Sequence, residues 1–298
     1  MKVVVLGGSG FIGSHVADEL SKKGNKVIIF DKKKSKWLRR DQKMLIGDIF
    51  NYKALENAIK GCQVVYNFAA LADIDQAMRE PLVSARINIL GTVNALNLCK
   101  KYKVRRFVQA SSIYVDTNQG GFYSCSKRAA DDYVKEFNKS YKQNYTILRY
   151  GSVYGPRSNK SNGLRKILDK AIWQRKIIYM GNKKAVRRYI NVLDAAKASV
   201  EILKDSYKNK SINLTGQKEI KISKVLKFLS KTLKINSKII YKNEKKSNHY
   251  VTKLNPYIMT QATEFKFNKT ADLEKSILSL IEKLKNKLNK SLKEKIIK

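Results

Sequence analysis

The sequence Val3-Val-Val-Leu-Gly-Gly-Ser-Gly-Phe-Ile-Gly13 joins a β-branched run to three glycines that recur at every third position. Such a run, followed by an apolar segment with helical spacing, predicts a strand, a tight turn and a helix. Gly7 would allow the turn, Gly10 would let backbone N–H groups approach a phosphate, and Gly13 would let the helix pack on the strand. The helix N-terminus adds the positive end of a dipole. We therefore expect a pyrophosphate site in this stretch.

A second apolar run, residues 26–30, ends in Asp31. This carboxylate lies roughly 20 residues beyond the glycines, where dinucleotide-binding folds place the acceptor for the adenosine ribose hydroxyls. Its charge would repel a 2′-phosphate, so the sequence favours NAD over NADP. Lys32, Lys33 and Lys34 follow directly and keep the alternative cofactor open.

Strand and helix patterns alternate through the first half of the chain. The predicted strands are residues 44–46, 63–68, 106–110 and 146–148, and the predicted helices are residues 52–60, 82–102 and 123–141. This alternation is typical of an α/β fold with a doubly wound parallel sheet, in which ligands bind at the carboxyl ends of the strands. Residues 1–150 are therefore expected to form a Rossmann-type NAD-binding domain. The small residues Ala69 and Ala70 end a strand where a backbone could lie close to a ligand.

The second half of the chain, residues 151–298, has shorter elements and is expected to form a smaller α/β substrate lobe over the crevice. A loop at residues 151–163 precedes a helix at 164–175, short strands at 177–179, 189–192 and 212–214, and helices from Asp194 and Ser223. Thr270 is predicted to cap a last helix, in which apolar residues recur every three or four positions as far as Ile296. Lysines fill its other face. We expect this helix to pack on its own lobe, with a partner or a membrane surface as the alternative.

The chain of 298 residues carries 62 Lys and Arg against 24 Asp and Glu, a net charge of +38. Lysines dispersed along the whole chain are typical of a compositional bias, whereas a strong positive field also attracts polyanions. No RNA-binding fingerprint or zinc finger accompanies the charge. The sequence therefore predicts only non-specific affinity for nucleic acid.

Cysteine, histidine and hydropathy patterns narrow the class of protein further. The 3 cysteines and 2 histidines lack the spacing of metal ligands, so neither a metal site nor a disulfide framework is expected. No segment approaches the roughly 20 continuous apolar residues of a membrane span, and no signal-peptide pattern precedes the first strand. We expect a soluble, cytoplasmic protein.

Tyr123 and Lys127 are spaced i, i+4 in a predicted helix, so their side chains share one face. A nearby ammonium, together with the positive ring of NAD⁺, would favour the phenolate and let Tyr123 act as a base near pH 7. Ser112 follows the preceding predicted strand, where its hydroxyl could hold the substrate oxygen that loses its proton. Each feature is common by chance, but their occurrence together, behind a glycine loop and Asp31, favours a catalytic site.

These motifs resemble those of the extended short-chain dehydrogenase/reductase family, in its group of nucleotide-sugar epimerases and dehydratases. The likeness covers nearly the whole chain in the right order. The matching segments are Gly7 to Gly13, Asp31, Asp48-Ile49, Asn67-Phe-Ala-Ala70, Asn88-Ile-Leu-Gly-Thr92, Ser111-Ser112, Tyr123 to Lys127, Leu148-Arg-Tyr-Gly-Ser-Val-Tyr-Gly-Pro156, Arg187 to Asp194 and Asn213-Leu-Thr-Gly216.

The resemblance implies a role for each matching residue. Tyr123 is expected to be the catalytic acid/base and Ser112 its hydrogen-bonding partner, while Lys127 also holds the nicotinamide ribose. Arg187, with its fork of fixed charge, is expected to face the nucleotide diphosphate, and Ser152 to contact the substrate. The expected NAD contacts are Gly7, Gly10, Phe11, Ile12, Gly13, Asp31, Asp48, Ile49, Ala69, Ala70, Asn88, Tyr123, Lys127 and Tyr150.

The chain also departs from parts of that family. The family's dehydratases carry an Asp-Glu pair after the active-site Ser or Thr, and its sugar-acid decarboxylases tend to carry Glu there. Here Ile113 and Tyr114 follow Ser112, so elimination is disfavoured and hydride shuttling remains. The next residues are Val115-Asp116-Thr117, where the family normally has Val-Tyr-Gly, and this leaves the identity of the sugar open.

The resemblance therefore implies an NAD-dependent epimerase of a nucleotide sugar, in particular a UDP-sugar 4-epimerase that works through a transient 4-keto intermediate. One alternative is a nucleotide-sugar reductase or dehydrogenase of the same fold. Another is a non-catalytic paralogue that binds RNA or a partner through its basic surface. The resemblance also implies a homodimer formed through the helices predicted at 82–102 and 123–141.

Overall fold

The computed structural model describes residues 1–117, 119–242 and 262–296, with side chains described as far as residue 286. The strands are β1 Lys2–Leu6, β2 Lys26–Asp31, β3 Gln42–Ile46, β4 Val64–Asn67, β5 Arg106–Ser112, β6 Tyr145–Tyr150, β7 Ser152–Tyr154, β8 Ile178–Met180, β9 Val186–Arg187, β10 Tyr189–Asn191, β11 Lys210–Leu214, β12 Ile220–Lys221, β13 Ile240–Lys242 and β14 Thr263–Glu264. The helices are α1 Phe11–Lys22, α2 Tyr52–Ile59, α3 Ile74–Arg79, α4 Pro81–Ala85, α5 Gly91–Lys101, α6 Gly121–Tyr141, α7 Gly163–Gln174, α8 Val192–Glu201, α9 Ile222–Thr232 and α10 Leu273–Ile296. A π-helical turn, Arg86–Leu90, joins α4 to α5, and 3-10 turns cover Ile113–Asp116 and Asp205–Tyr207.

Eight of these strands form one sheet in the order β14-β11-β6-β5-β4-β1-β2-β3. All neighbouring strands in it run parallel. The strand order reverses between β1 and β4, and a crevice opens at the carboxyl ends of the strands at such a point. The predicted Rossmann-type doubly wound fold is confirmed.

The residues of β1 explain why helices cover the sheet on both sides. Val3 and Val5 belong to the core beneath α1 and α8, whereas Val4 and Leu6 belong to the core beneath α2, α5 and α6. All four side chains are fully buried. Successive side chains of a strand point to opposite faces, so an unbroken apolar run fits a parallel sheet with two covered faces.

The second half of the chain contributes to both parts of the molecule, so the division expected at residue 150 needs a correction. β11 pairs with β6, and β14 pairs with β11, so both strands extend the main sheet. Helix α8 packs on the same core as α1. Ile212 and Leu214 of β11 are fully buried, and only a position inside the sheet covers both their side chains and their backbone.

The smaller lobe is built from α7, α9, α10 and three two-stranded pairings, β7 with β10, β8 with β13, and β9 with β12. Ile277, Ile281 and Leu284 of α10 are buried against α7 and α9, as expected for a helix that packs on its own lobe. Asp272, not Thr270, caps this helix, because its Oδ1 accepts a hydrogen bond from the Lys275 N–H at 2.8 Å. The rest of the apolar stripe, from residue 287 on, lies outside the described side chains.

The helix predicted at residues 82–102 is interrupted by the π-helical turn. Asn88, within that turn, bonds through its side chain to both the N–H and the carbonyl of Leu71, at 2.8 and 3.1 Å. By length and a mean hydropathy of 1.2, the whole segment Pro81–Lys101 could cross a membrane, contrary to the sequence-based expectation. Its most apolar window is 44% buried, and Leu96 and Leu98 pack on the sheet. Its second half, α5, packs on the sheet within the enzyme fold.

Two elements near the crevice were not predicted. Helix α3 lies in a stretch to which the sequence analysis assigned no structure, and β7 lies in the expected loop at residues 151–163. Both border the crevice, so the site has more walls than the sequence indicated.

Candidate active site

The glycine loop between β1 and α1 has a shape that only glycine permits at two positions. Gly7 has φ +75°, and a Cβ there would lie 2.6 Å from the backbone N of Ala69. A Cβ on Gly13 would lie 2.5 Å from the carbonyl oxygen of Gly7. Gly10 caps α1 with an extended backbone and no side-chain bond, so the N–H groups of the first helical turn are available to an anion. This cradle fits the pyrophosphate of NAD.

The carboxylate of Asp31 lies beside this loop at the end of β2. It accepts hydrogen bonds from the backbone N–H of Ser9 at 3.1 Å and of Lys33 at 3.2 Å. Lys32 turns away and forms an ion pair with Asp48, with 2.9 Å between Nζ and Oδ2. The lysine closest in sequence to the ribose acceptor is therefore already paired, which agrees with a site for NAD.

The crevice holds a cavity of about 780 Å³ that reaches from the glycine loop to the smaller lobe. Strand β5 brings Ser112 to its wall, and α6 brings Tyr123 and Lys127, one helical turn apart. Twelve of the residues predicted from the sequence line this one cavity: Gly7, Gly10, Phe11, Ile12, Gly13, Ala70, Ser112, Tyr123, Lys127, Tyr150, Ser152 and Arg187.

The Tyr123 hydroxyl shares a hydrogen bond with Ser112, and its side chain lines the cavity. Its ring keeps some exposed surface because it faces the open cavity, but burial of its hydroxyl raises the pKa to about 12. The hydrogen bond with Ser112 lowers this pKa, while Tyr114 and Asp131 raise it further. In the protein without cofactor, burial thus acts against the phenolate that was expected near pH 7, because desolvation disfavours the charged form of the phenol.

Lys127 is 4% exposed and lies in the cavity wall next to Tyr123. Burial lowers its pKa to about 8, and the carboxylate of Asp131 opposes that change. The ammonium is therefore still the main form at neutral pH. It can favour a phenolate and donate hydrogen bonds to ribose hydroxyls, as the resemblance implies.

Five predicted cofactor contacts lie outside the cavity: Asp31, Asp48, Ile49, Ala69 and Asn88. Asp31 and Ala69 border the glycine loop directly, as the contacts above show. The Ile49 side chain is buried and packs toward Gly91, where a Cβ would lie 3.1 Å from its Cγ2. Asn88 is fully buried, and its amide binds Leu71 and Ser126. The structure gives Asn88 and the Ile49 side chain packing roles; their roles as NAD contacts stay predictions.

Tyr150 and Arg187 reach the cavity from opposite sides. The Tyr150 hydroxyl lies 2.7 Å from the Ser199 Oγ on α8, and burial raises its pKa. Arg187 is 7% exposed, and its guanidinium donates to the Val186 carbonyl at 2.8 Å and to the Tyr179 hydroxyl at 3.3 Å. These bonds hold a fixed positive charge in the wall of the smaller lobe.

The sequence analysis missed the cavity wall formed by α3 and α7. Lys166 and Lys170 of α7 face the cavity, and Lys166 pairs with Asp75 of α3 across its mouth, at 3.4 Å. The N-cap of α3 could have been recognised, since Asp73 accepts from the Gln76 N–H at 2.9 Å and Asp-x-x-Gln is a capping pattern. Within the described residues, no group of three His, Cys, Asp or Glu side chains could hold a metal ion.

Comparison with known proteins agrees with this geometry. The sequence profile of the NAD dependent epimerase/dehydratase family matches residues 3–215. A protein of Methanocaldococcus jannaschii that carries the provisional name UDP-glucose 4-epimerase is 28% identical, over 95% of this chain and 98% of its own length.

Two solved structures share the fold. The UDP-glucose 4-epimerase of Thermotoga maritima, solved with UDP-glucose, has a TM-score of 0.83 and 23% identity, covering 97% of this chain and 100% of that one. The UDP-glucose 4-epimerase of Thermus thermophilus, solved with NAD, has a TM-score of 0.73 and 24% identity, covering 85% of this chain and 90% of that one. The predictions of an enzyme, of this family and of NAD as its cofactor are confirmed: the chain belongs to the NAD dependent epimerase/dehydratase family.

Proposed function

We propose that this protein is a 4-epimerase of a UDP-sugar that works through a transient 4-keto sugar. The observation that carries the proposal is the position of Ser112, Tyr123 and Lys127 in one cavity with the glycine loop and Arg187. Relatives named as UDP-glucose 4-epimerases support the same class of substrate.

The chain's own residues divide the work of the reaction. Bound NAD⁺ supplies the acceptor and donor of the hydride at carbon 4, and adds a positive ring near Tyr123. Tyr123 takes the proton of the 4-hydroxyl, and Ser112 holds the same oxygen by a hydrogen bond. Lys127 orients the ribose and stabilises the phenolate by its charge. Tyr123 then returns the proton once the opposite face of the sugar has accepted the hydride.

The proposed mechanism requires the sugar to turn between the two hydride transfers. The cavity volume of about 780 Å³ lies in the upper part of the usual range for ligand pockets. Arg187 on the smaller lobe is the proposed anchor for the diphosphate, and Ser152 is a proposed sugar contact. An anchored diphosphate lets the keto sugar rotate without leaving the site.

The arrangement of carboxylates argues against the dehydratase and decarboxylase branches of the family. In the described part of the chain, Asp73 and Asp75 are the only carboxylates that line the cavity. Asp73 caps α3 and Asp75 pairs with Lys166, so both are engaged elsewhere. Asp116, close to Ser112 in sequence, pairs with Arg149 behind the cavity wall. Elimination of water needs a free acid and base beside Tyr123, and Ile113 and Tyr114 cannot provide them.

The proposal is tested by incubating the purified protein with a panel of UDP-sugars and following the products by NMR. We expect interconversion of two 4-epimers without net consumption of NAD. Stoichiometric formation of NADH would instead identify a dehydrogenase, and absence of conversion across the panel would contradict the proposed substrate class.

We also propose that the protein is a cytoplasmic homodimer. Adjacent helices in the α4–α5 segment and α6 expose large apolar side chains, with Leu82 80% and Leu90 55% exposed on the first and Phe122 and Tyr133 each 47% exposed on the second. Burying such side chains favours association. Light scattering should give twice the chain mass, and Leu82→Glu should shift the protein to monomer; a monomeric native protein would contradict this interface.

A further inference from the structure

Arg149 lies between two carboxylates behind the wall that carries Ser112 and Lys127. It is 5% exposed, in the interior of β6. Its Nη1 donates a short hydrogen bond to Asp116 Oδ2, whereas its Nε lies 3.7 Å from Asp131 Oδ2, beyond hydrogen-bonding distance. The guanidinium is therefore directed mainly to Asp116, a residue that stands where the family resemblance leads one to expect tyrosine.

Asp131 is only partly compensated for its burial, since its ion pair with Arg149 is long, at 3.7 Å. It is 1% exposed and accepts one hydrogen bond, from the Ser111 hydroxyl at 2.8 Å. Its other oxygen, Oδ1, is buried without a hydrogen-bond partner among the described residues. A buried carboxylate in this state is costly unless a nearby cation offsets its charge.

Lys127 is the buried cation that lies one helical turn before Asp131 on α6. The two residues are spaced i, i+4, so their side chains share the inner face of the helix. Within the described part of the chain, Lys127 makes no hydrogen bond or close ion pair, and the charge of Asp131 raises its pKa against the effect of burial. The two side chains thus lie one helical turn apart on the same buried face of α6.

We propose, on the basis of the function proposed above, that Asp131 is a positioning residue whose carboxylate keeps the Lys127 ammonium charged beside Tyr123. Asp116 has a supporting role, because it accepts the short hydrogen bond of Arg149 and limits that guanidinium to a longer ion pair with Asp131. Removal of Asp116 would turn Arg149 toward Asp131 and weaken the same effect.

The pH dependence follows from all the titratable groups that act on Asp131. They are Lys127 and Lys135 on its own helix, Arg149 on β6, and the phenols of Tyr123 and Tyr145, whose ionisation it disfavours. Burial raises the pKa of Asp131 to about 6, so its carboxylate is charged at neutral pH. Burial lowers the pKa of Lys127 to about 8, so loss of the Asp131 charge should move the deprotonation of Lys127 to still lower pH.

The test compares Asp131→Asn with the native protein in turnover and in NAD binding across pH. In Asp131→Asn, the alkaline limbs of the pH profiles of turnover and of NAD affinity should move to lower pH by about 1 unit or more. An opposite charge at close range produces an effect of this size. At about pH 6, where Lys127 is charged in either protein, the variant should recover to within a few-fold of native. A merely structural defect would lower activity equally at every pH and would overturn the proposal.

Two further variants keep the test decisive if Asp131→Asn does not fold. Asp131→Glu retains the charge and should keep the alkaline limb of the pH profile at its native position. Asp116→Asn should shift this alkaline limb in the same direction as Asp131→Asn, but by less. Asp132→Asn is the matched control, since Asp132 is the next residue and its side chain is 63% exposed beside Lys135. A native-like limb in Asp116→Asn, or a shifted limb in Asp132→Asn, would contradict the proposal.

The ¹³Cε NMR signal of Lys127 separates this inference from the proposed function. The signal is identified by its loss in Lys127→Met, and it titrates whether or not a UDP-sugar is turned over. If the native protein converts no UDP-sugar, the proposed function fails. A lower titration midpoint in Asp131→Asn would still support the role of Asp131 as the counter-ion of Lys127. If the native protein is an epimerase and the midpoint is unchanged in Asp131→Asn, only the counter-ion proposal fails.

Discussion

Burial moves the pKa values of Tyr123 and Lys127 in opposite directions, that of Tyr123 up to about 12 and that of Lys127 down to about 8. Both shifts favour the neutral form, because desolvation penalises charge of either sign. The free protein therefore holds a neutral phenol beside an ammonium that is charged at neutral pH. Turnover should rise with pH as the phenolate becomes accessible, and fall once Lys127 loses its proton.

Tyr123→Phe should reduce turnover by roughly 10²- to 10⁴-fold, the usual contribution of a general acid/base. NAD affinity should stay within a few-fold of native, because the ring still fills the cavity wall. Steady-state kinetics on a verified substrate and calorimetry with NAD measure the two effects. Tyr141→Phe is the control, at the end of the same helix and 52% exposed. Substantial activity in Tyr123→Phe would show that another group moves the proton.

Asp31→Asn should weaken NAD binding by roughly tenfold or more, because hydrogen bonds to a charged group contribute about 1.5–3 kcal/mol. NADP binding should improve relative to NAD, since the carboxylate no longer repels the 2′-phosphate. Calorimetry with both cofactors decides this, with Asp41→Asn as the control, an exposed carboxylate paired with Arg39. Equal or tighter binding of NADP by the native protein would show that Lys33 and Lys34 outweigh Asp31.

At the scale of elements, the β1–α1 unit provides the cofactor cradle because its turn contains no side chain that could block it. The turn is closed by a hydrogen bond from the Gly10 N–H to the Gly7 carbonyl at 3.1 Å. Helix α1 then packs so closely that Gly13 meets the same carbonyl. The position of the helix N-terminus therefore depends on the absence of a Cβ at Gly13.

Gly13→Ala should destabilise the protein by about 1–3 kcal/mol, the usual cost of an added methyl group in a packed region. The helix must also move away from the turn, and NAD affinity should fall by about tenfold, which corresponds to about 1.4 kcal/mol. Urea unfolding and calorimetry measure the two effects. Gly24→Ala is the control: its φ of +75° costs stability, but nothing lies within 4 Å of the new Cβ. A similar loss of NAD affinity in both variants would contradict the packing argument.

At the scale of the whole molecule, the two parts of the chain are joined across the crevice by polar contacts. Arg157 forms an ion pair with Asp18 of α1 at 2.7 Å, and its guanidinium lies 4.8 Å from the ring centre of Trp37. His15 bonds to the Pro156 carbonyl at 3.0 Å. Together with the pair between Asp75 and Lys166, these contacts hold the smaller lobe over the cavity.

The net charge of +38 should give the protein a weak affinity for nucleic acid that falls steeply with salt and has negligible sequence preference. The charge is spread over exposed lysines, so it offers no ordered set of base contacts. Fluorescence anisotropy with unrelated RNA and DNA oligonucleotides at several salt concentrations measures this. High selectivity for one RNA at physiological salt would contradict the prediction and favour a second, binding function.

The local sequence by itself determined the cofactor half of the site. The run at Val3 to Leu6, the glycines after it and Asp31 at the end of the next strand lie close together along the chain, and their steric and charge requirements are local. The i, i+4 spacing of Tyr123 and Lys127 likewise needs only a helix to bring the two side chains together. For these residues, the pattern was sufficient to predict their place in the site.

Only the tertiary structure decided the features that depend on contacts distant in the sequence. The return of β11 to the main sheet, the break at Asn88 and the pairing of Asp75 with Lys166 each join segments far apart in the chain, and no local pattern encodes such partners. The pKa values of Tyr123, Lys127 and Asp131 depend on burial, and burial exists only once the sheet and helices enclose these groups. The same holds for Arg149, which donates a hydrogen bond to Asp116 and forms a longer ion pair with Asp131. This difference depends on the three-dimensional positions of two carboxylates on different elements.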